Sequence, residues 1–184
     1  MFTILVICTG NICRSPAGEL LLRSALPAGI AVGSAGTAAV VGSPVHPLTA
    51  AALGRRGIEA DLHAGRQLAI EHVTGANLVL AMTREHRAAA VRLCPPAVAR
   101  AFTFAEFARL TAAAGRAVSR TGPAGLLDEV RAMRGLVRAP AAADDDVPDP
   151  IGGSPAVHES VVAAVAQQAS AIAAAFSAAG SAPP

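Results

Sequence analysis

The chain has 184 residues, is 53% hydrophobic, and carries three Cys and a formal charge of +2. That is enough for one domain with its own core. It is too apolar for a disordered chain, too poor in Cys for a disulfide scaffold, and too weakly basic to argue for a nucleic-acid partner. All 15 basic residues are Arg, and Tyr and Trp are absent. The apolar runs Thr3–Ile7 and Asn77–Met82 are too short to cross a bilayer. The run Val157–Phe176 is Ala-rich and interrupted by Gln167, Gln168 and Ser170. No basic flank precedes the first run, so no signal-peptide pattern is read. The expectation is a cytoplasmic protein in a reducing compartment, without membrane association.

Thr3–Cys8 is a nearly continuous apolar, β-branched run, suited to a strand covered on both faces. Thr9–Arg14 is a short loop. Ser15-Pro16-Ala17-Gly18-Glu19 opens a helix, with Pro tolerated in the first turn and Glu near the positive end. Gly29–Ser34 reads as a second strand, Ala35–Pro47 as a loop, and Leu48–Arg56 as a helix ended by Gly57. Asn77–Met82 is a third strand, and Thr83 caps a helix to about Leu93. Ala99–Phe104 is a fourth strand, followed by a short helix at Glu106–Leu110. Ser154 and Pro155 start a long helix to about Ala175. Alternating strands and helices predict an α/β three-layer sandwich, with a central four-stranded parallel sheet and helices on both faces. The domain is expected over 1–178, with a surface insertion at about 112–143 containing a helix at Pro123–Val137, and a frayed tail at 179–184.

Ligands in such sheets bind at the carboxyl ends of strands, and Cys8 sits at one. The segment Cys8-Thr9-Gly10-Asn11-Ile12-Cys13-Arg14-Ser15 then curls from strand to helix. Such a curl aims successive backbone N–H groups into one concavity, a nest for a tetrahedral anion, and the helix start adds partial positive charge. That charge favours the thiolate form of a cysteine on the rim. Arg14 offers a planar fork for two phosphate oxygens. Gly10 and Asn11 tolerate left-handed backbone. Ser15 can donate a hydrogen bond to the sulfur.

These residues resemble the low-molecular-weight protein tyrosine phosphatases, whose loop is Cys-x5-Arg-Ser near the N-terminus, often with Gly-Asn-Ile-Cys inside it. Further landmarks follow in order: Ser34-Ala-Gly-Thr37, Gly42-x-Pro44-x-x-Pro47, His63-Ala-Gly-Arg66-Gln67-Leu68, Leu80-Ala-Met82-Thr-Arg-Glu-His86 and Phe102-Thr-Phe104-x-Glu106-Phe107. The resemblance covers about Thr3–Leu110 and Val147–Phe176. It implies hydrolysis of phosphotyrosine or related aryl phosphomonoesters through a phosphocysteine, with Cys8 as nucleophile, Arg14 holding the phosphate, and Thr9–Ser15 forming the phosphate loop. It implies a general acid in the Asp149-Pro150 dipeptide. A phenolate departs badly as an anion, so a carboxylic acid must protonate it. The nearby run Asp144-Asp145-Asp146 is the competitor, read otherwise as a solvated face. The resemblance also implies that Asn11 is clamped by Ser34 and His63, with Ser15 supporting the loop. Cys13 is either a redox partner for an oxidised Cys8 or a small apolar filler. No Cys or His spacing suggests a metal, and no cofactor is expected.

Many members carry aromatic residues after Asp-Pro and in the loop after the second strand. Here Ile151, Val40 and Val41 stand there, so the slot is expected to be aliphatic, with Thr9 and Ile12 completing it. The expected substrate is a phosphorylated protein or a small aryl phosphate, and the expected state is a monomer or weak homodimer. Two alternatives stand beside this reading. One is an arsenate reductase on the same fold, though Pro16 stands where those enzymes have Gln. The other is a non-catalytic anion-binding module, though Cys, Arg and acid are all retained.

Overall fold

The computed structural model describes residues 1–114, 122–137 and 141–180. Strand β1 (Phe2–Cys8) is buried from Ile4 to Cys8, as a strand covered on both faces must be. It pairs in parallel with β2 (Ile30–Gly36) on one side and β3 (Leu78–Ala81) on the other. β4 (Ala101–Thr103) adds to β3, giving the order β2-β1-β3-β4. Side chains alternate across the sheet, and this splits the core in two. Ile4, Val6, Leu78, Leu80 and Phe102 face one layer: α1 (Arg14–Ala25), α2 (Pro47–Gly54), α5 (Phe104–Ala114) and α7 (Pro155–Gly180). Leu5, Ile7, Val79 and Ala81 face the other, with α3 (Ile70–Thr74), α4 (Arg84–Leu93) and the 3-10 turn Pro95–Ala99. The three-layer α/β sandwich expected from the sequence is the architecture found.

The strand order reverses direction at β1, so the crevice between β1 and β3 opens at their carboxyl ends. Cys8 lies there. A backbone bond from Val147 N to Met82 O (2.8 Å) brings the chain past the end of β3 and carries Asp149 to the same edge.

Several boundaries shift. α1 begins at Arg14, one residue before the expected start, so the loop is tighter. β2 extends to Gly36, and α5 runs from Phe104 to Ala114. The segment read as a surface insertion reaches into the core: α6 (Gly122–Met133) buries Leu126 and Val130 completely. Just after it, Arg134 donates to Glu106 (2.8 Å) and lies over the Phe102 ring. Residues 115–121 and 138–140 of that segment lie outside the described residues. Residues 179 and 180 of the tail expected to fray belong to α7, which continues through Gly180 with Ala179 buried; residues 181–184 lie outside the described residues.

By length and composition α7 is apolar enough to cross a membrane. Its apolar face is occupied here: Val161, Val165, Ile172 and Phe176 are buried against the core. Burial accounts for the hydropathy.

Candidate active site

The loop from β1 to α1 is shaped from outside. Its carbonyls are taken in succession: Thr37 N donates to Cys8 O (2.9 Å), Ala38 N to Thr9 O (3.0 Å), Val40 N to Gly10 O (3.0 Å) and His46 N to Ile12 O (2.7 Å). His63 Nε2 bonds Asn11 O (2.8 Å), and since a carbonyl only accepts, that nitrogen carries the proton. A trans peptide points its N–H opposite to its C=O. Five carbonyls turned outward therefore leave the amides of Thr9 to Cys13 facing the concavity, next to the N-terminus of α1. The nest inferred from the sequence has its physical cause in the loop after β2. Nothing in the spacing of the motif could have shown those partners.

Asn11 sits at φ 53°, the only non-Gly residue with positive φ among the described residues. Its side chain is fully buried and holds this strained turn. Nδ2 donates to Ser15 Oγ (2.9 Å) and Ser34 Oγ (2.8 Å), and Oδ1 accepts from Arg66 N (2.9 Å). Ser34 Oγ donates in turn to Glu19 Oε2 (2.6 Å). The polarity of this chain is fixed by the carboxylate. Ser15 Oγ accepts from Asn11 and so has its hydrogen free for Cys8 Sγ at 2.9 Å. The donor to the sulfur is thus set four residues away along a buried network. The structure brings together Cys8, Asn11, Ser15, Ser34 and His63 as expected, and adds Glu19 and Arg66.

Arg14 is buried, with its guanidinium at the loop's mouth. It donates to Asp149 Oδ2 (2.5 Å), to Thr9 Oγ1 (3.4 Å) and to Val147 O (3.3 Å). Asp149 remains half-exposed, its side chain 48% accessible, as a group serving an incoming substrate must be. The competing acids are engaged elsewhere. Asp144 accepts from Ala141 N, Asp145 pairs with Arg109 (3.0 Å), and Asp146 pairs with Arg84 (3.0 Å).

His86 had been read only as part of a landmark. It is buried beneath Thr9, with Nε2 2.8 Å from Thr9 Oγ1 and Nδ1 2.8 Å from Thr83 Oγ1. Burial first, and the Arg14 guanidinium second, push this imidazole below its ordinary range. It links the N-cap of α4 to the first residue of the loop.

Cys13 is buried, and burial above all raises its thiol to about 11, with the neighbouring Cys8 adding to the effect and a Thr49 hydrogen bond opposing it. All three cysteines are free. Val40, Val41 and Ile151 are exposed at the surface, 49%, 70% and 53% accessible.

Residues 3–119 match the family model described as low molecular weight phosphotyrosine protein phosphatase. The chain belongs to this family. It is 41% identical over 105 residues to a low molecular weight protein-tyrosine-phosphatase of Escherichia coli K12, covering 57% of this chain and 70% of that one. It is equally 41% identical over 106 residues to a protein-arginine-phosphatase of Geobacillus stearothermophilus, covering 58% and 71%. The solved arginine phosphatase from that organism superposes with a TM-score of 0.72 at 30% identity, over 95% of this chain and 92% of its own. A low molecular weight protein tyrosine phosphatase from T. tengcongensis gives 0.70 at 26% identity, over 94% and 97%. The family match ends at 119, so within it lies the phosphate loop, while Asp149 lies beyond it.

Proposed function

We propose that this member of the family hydrolyses phosphotyrosine or related aryl phosphomonoesters through a phosphocysteine, with Cys8, Arg14 and Asp149 as its catalytic residues. The observation that carries the reading is the Cys8 sulfur, held by Ser15 at the floor of a ring of inward amides, with Arg14 and Asp149 in contact at the mouth. Cys8 Sγ attacks phosphorus as the bond to the leaving oxygen breaks, and the Asp149 carboxylic acid gives that oxygen its proton. The amides and Arg14 hold the three remaining oxygens, whose charge builds in the transition state. In the second step the Asp149 carboxylate takes a proton from water, the water oxygen attacks phosphorus, and the S–P bond breaks. Inorganic phosphate leaves and the thiolate returns, with the Ser15 hydroxyl stabilising the departing sulfur. A phosphorylated protein is the substrate class this supports.

A second reading, hydrolysis of phosphoarginine, is favoured by the aliphatic residues of the two loops. Val40, Val41 and Ile151 are exposed there and offer no ring to grip a phenyl group. The named activity of a relative at 41% identity points the same way. Initial rates on phosphotyrosine and phosphoarginine peptides of one sequence decide between them, with the faster kcat/KM naming the class. Cys8→Ser is expected to reduce both to background while phosphate still binds, since an alkoxide is far harder to form than a thiolate. Turnover by Cys8→Ser at a rate near the unaltered enzyme's would remove the nucleophile assignment for either substrate.

A further inference from the structure

Behind the phosphate loop, three side chains far apart in sequence converge from three helix starts. Cys13 is the N-cap of α1, His46 the N-cap of α2, and His158 lies in the first turn of α7. One ligating atom of each lies within 4.8 Å of those of the other two. The imidazole rings stack, with centroids 4.7 Å apart. Cys13 is 3% exposed and His158 is fully buried.

The bonding of these groups is incomplete in a particular way. His46 Nδ1 accepts from Leu48 N (3.3 Å), which places the ring proton on Nε2. His158 Nδ1 shares a hydrogen bond with Thr49 Oγ1 (2.8 Å), while its Nε2 is buried with no hydrogen-bond partner. A buried polar atom without a partner destabilises the fold. An apolar side chain would fill the same space without that cost. With Nδ1–H given to Thr49 and Nε2 unsatisfied, His158 is in the state of an imidazole oriented to ligate. The Thr49 hydroxyl beside Cys13 also favours its ionised form. The negative charge of Asp149 acts on both Cys13 and His158, with Arg14 opposing it at Cys13.

We infer that Cys13, His46 and His158 form a site for a thiophilic divalent cation of the Zn²⁺ class, with a fourth position open. One thiolate and two imidazoles are a borderline-soft donor set that suits tetrahedral zinc. Metal–ligand bonds of about 2.0–2.3 Å place tetrahedral ligand atoms roughly 3.3–3.8 Å apart, so side-chain rotations of about an ångström close the site. On binding, one S–metal and two N–metal bonds form, the Cys13 thiol proton goes to solvent, His46 loses its Nε2 proton and takes one up at Nδ1 in place of the Leu48 N hydrogen bond, and no oxidation state changes. Cys13 held as a metal thiolate is withdrawn from disulfide formation with Cys8. The site therefore sets whether Cys13 is available as a redox partner.

The test uses Co²⁺ as probe and the full chain carrying Cys8→Ser, so that the neighbouring thiol cannot supply a ligand. We expect one Co²⁺ per chain, a thiolate-to-cobalt charge-transfer band in the near ultraviolet, displacement by Zn²⁺, and a raised Tm. In the same background, His46→Asn keeps an acceptor for Leu48 N and removes the imidazole. It should weaken Co²⁺ at least about tenfold, as should His158→Ala. Cys13→Ser should abolish the charge-transfer band. Absence of a sulfur band, or a band and affinity unchanged in His46→Asn, would overturn the site. His46→Asn and Cys13→Ser decide the matter even if His158→Ala fails to fold.

Discussion

Asp149 and Arg14 touch at 2.5 Å, one half-exposed and the other buried. This is a division of labour between an exposed acid and a buried cation. Arg14 is held by its helix and by packing, so its fork is preorganised for phosphate. Asp149 is held at Oδ2 by Arg14 and at Oδ1 by Ile151 N (3.2 Å). Asp149→Asn keeps the shape and removes the proton. The loss should follow the leaving group. For phosphotyrosine, whose phenolate has a conjugate pKa of about 10, kcat should fall roughly 10²–10⁴-fold. For an aryl phosphate with a strongly acidic phenol the fall should be small, because that group departs unaided. Asp144→Asn, Asp145→Asn and Asp146→Asn serve as controls, since each of those acids is occupied by another partner. Loss of phosphotyrosine hydrolysis in one of these controls, with Asp149→Asn unaffected, would remove the assignment and the loop alignment beyond residue 119.

At the scale of elements, the phosphate loop depends on β2 more than on its own sequence. β2 ends at Gly36, beside the curl. A Cβ there would collide with the Thr9 carbonyl oxygen and approach Asn11 N to 3.0 Å. Both are backbone atoms of the nest, so neither can move without reshaping it. Gly36→Ala should therefore cost about 1–3 kcal/mol of stability and depress kcat/KM. Gly54→Ala, at the end of α2 with open space around the added carbon, should be neutral or stabilising by up to about 1 kcal/mol. Urea unfolding and steady-state kinetics on the pair separate the two. Equal behaviour of the variants would mean that the close approach of β2 does not shape the site. The same dependence explains what could be read in advance. Strong local signals placed β1, β3, α4 with its Thr83 cap, and α7, because apolar runs and caps act within a few residues. The nucleophile, the Arg and the clamp Asn11–Ser34–His63 followed from the family's motif. Spacing does not mark Glu19, Arg66 and His86 as site residues, because Glu19 reaches the loop only through Ser34, and Arg66 and His86 reach it by hydrogen bonds from far along the chain. α3 was missed because five residues carry no period, and α6 was read as surface because its anchor, Leu126 and Val130, is two residues among many small ones.

For the molecule as a whole, the substrate edge and the resistance to acid share a residue. His86 ties α4 to the loop through Thr83 and Thr9, and burial and then Arg14 hold it below its ordinary value of 6.5. Glu85, Asp149 and Asp146 pull the other way without reversing the shift. Below 6.5 the unfolded chain takes up a proton at this position that the folded chain refuses. Its contribution is thus fully present above 6.5 and is lost as pH falls from there toward the lowered folded value. Paired acids add to this only at lower pH. Burial opposes the ionised form of Asp146, but its Arg84 bonds hold the carboxyl below 3.8, and Arg56 and then Arg55 hold Glu159 below 4.5. Their contributions fade only as pH falls through the carboxylate range. Urea midpoints should therefore decline between about pH 7.5 and 5.5 with an unchanged m-value, before any carboxylate titrates. His86→Gln, which keeps polar atoms near both threonines but cannot take up a proton, should reduce that decline and leave the share of His158, which burial and then His46 also hold below 6.5. A midpoint that rises on acidification, or a slope identical in His86→Gln, would show that this imidazole does not couple the phosphate loop to the stability of the fold.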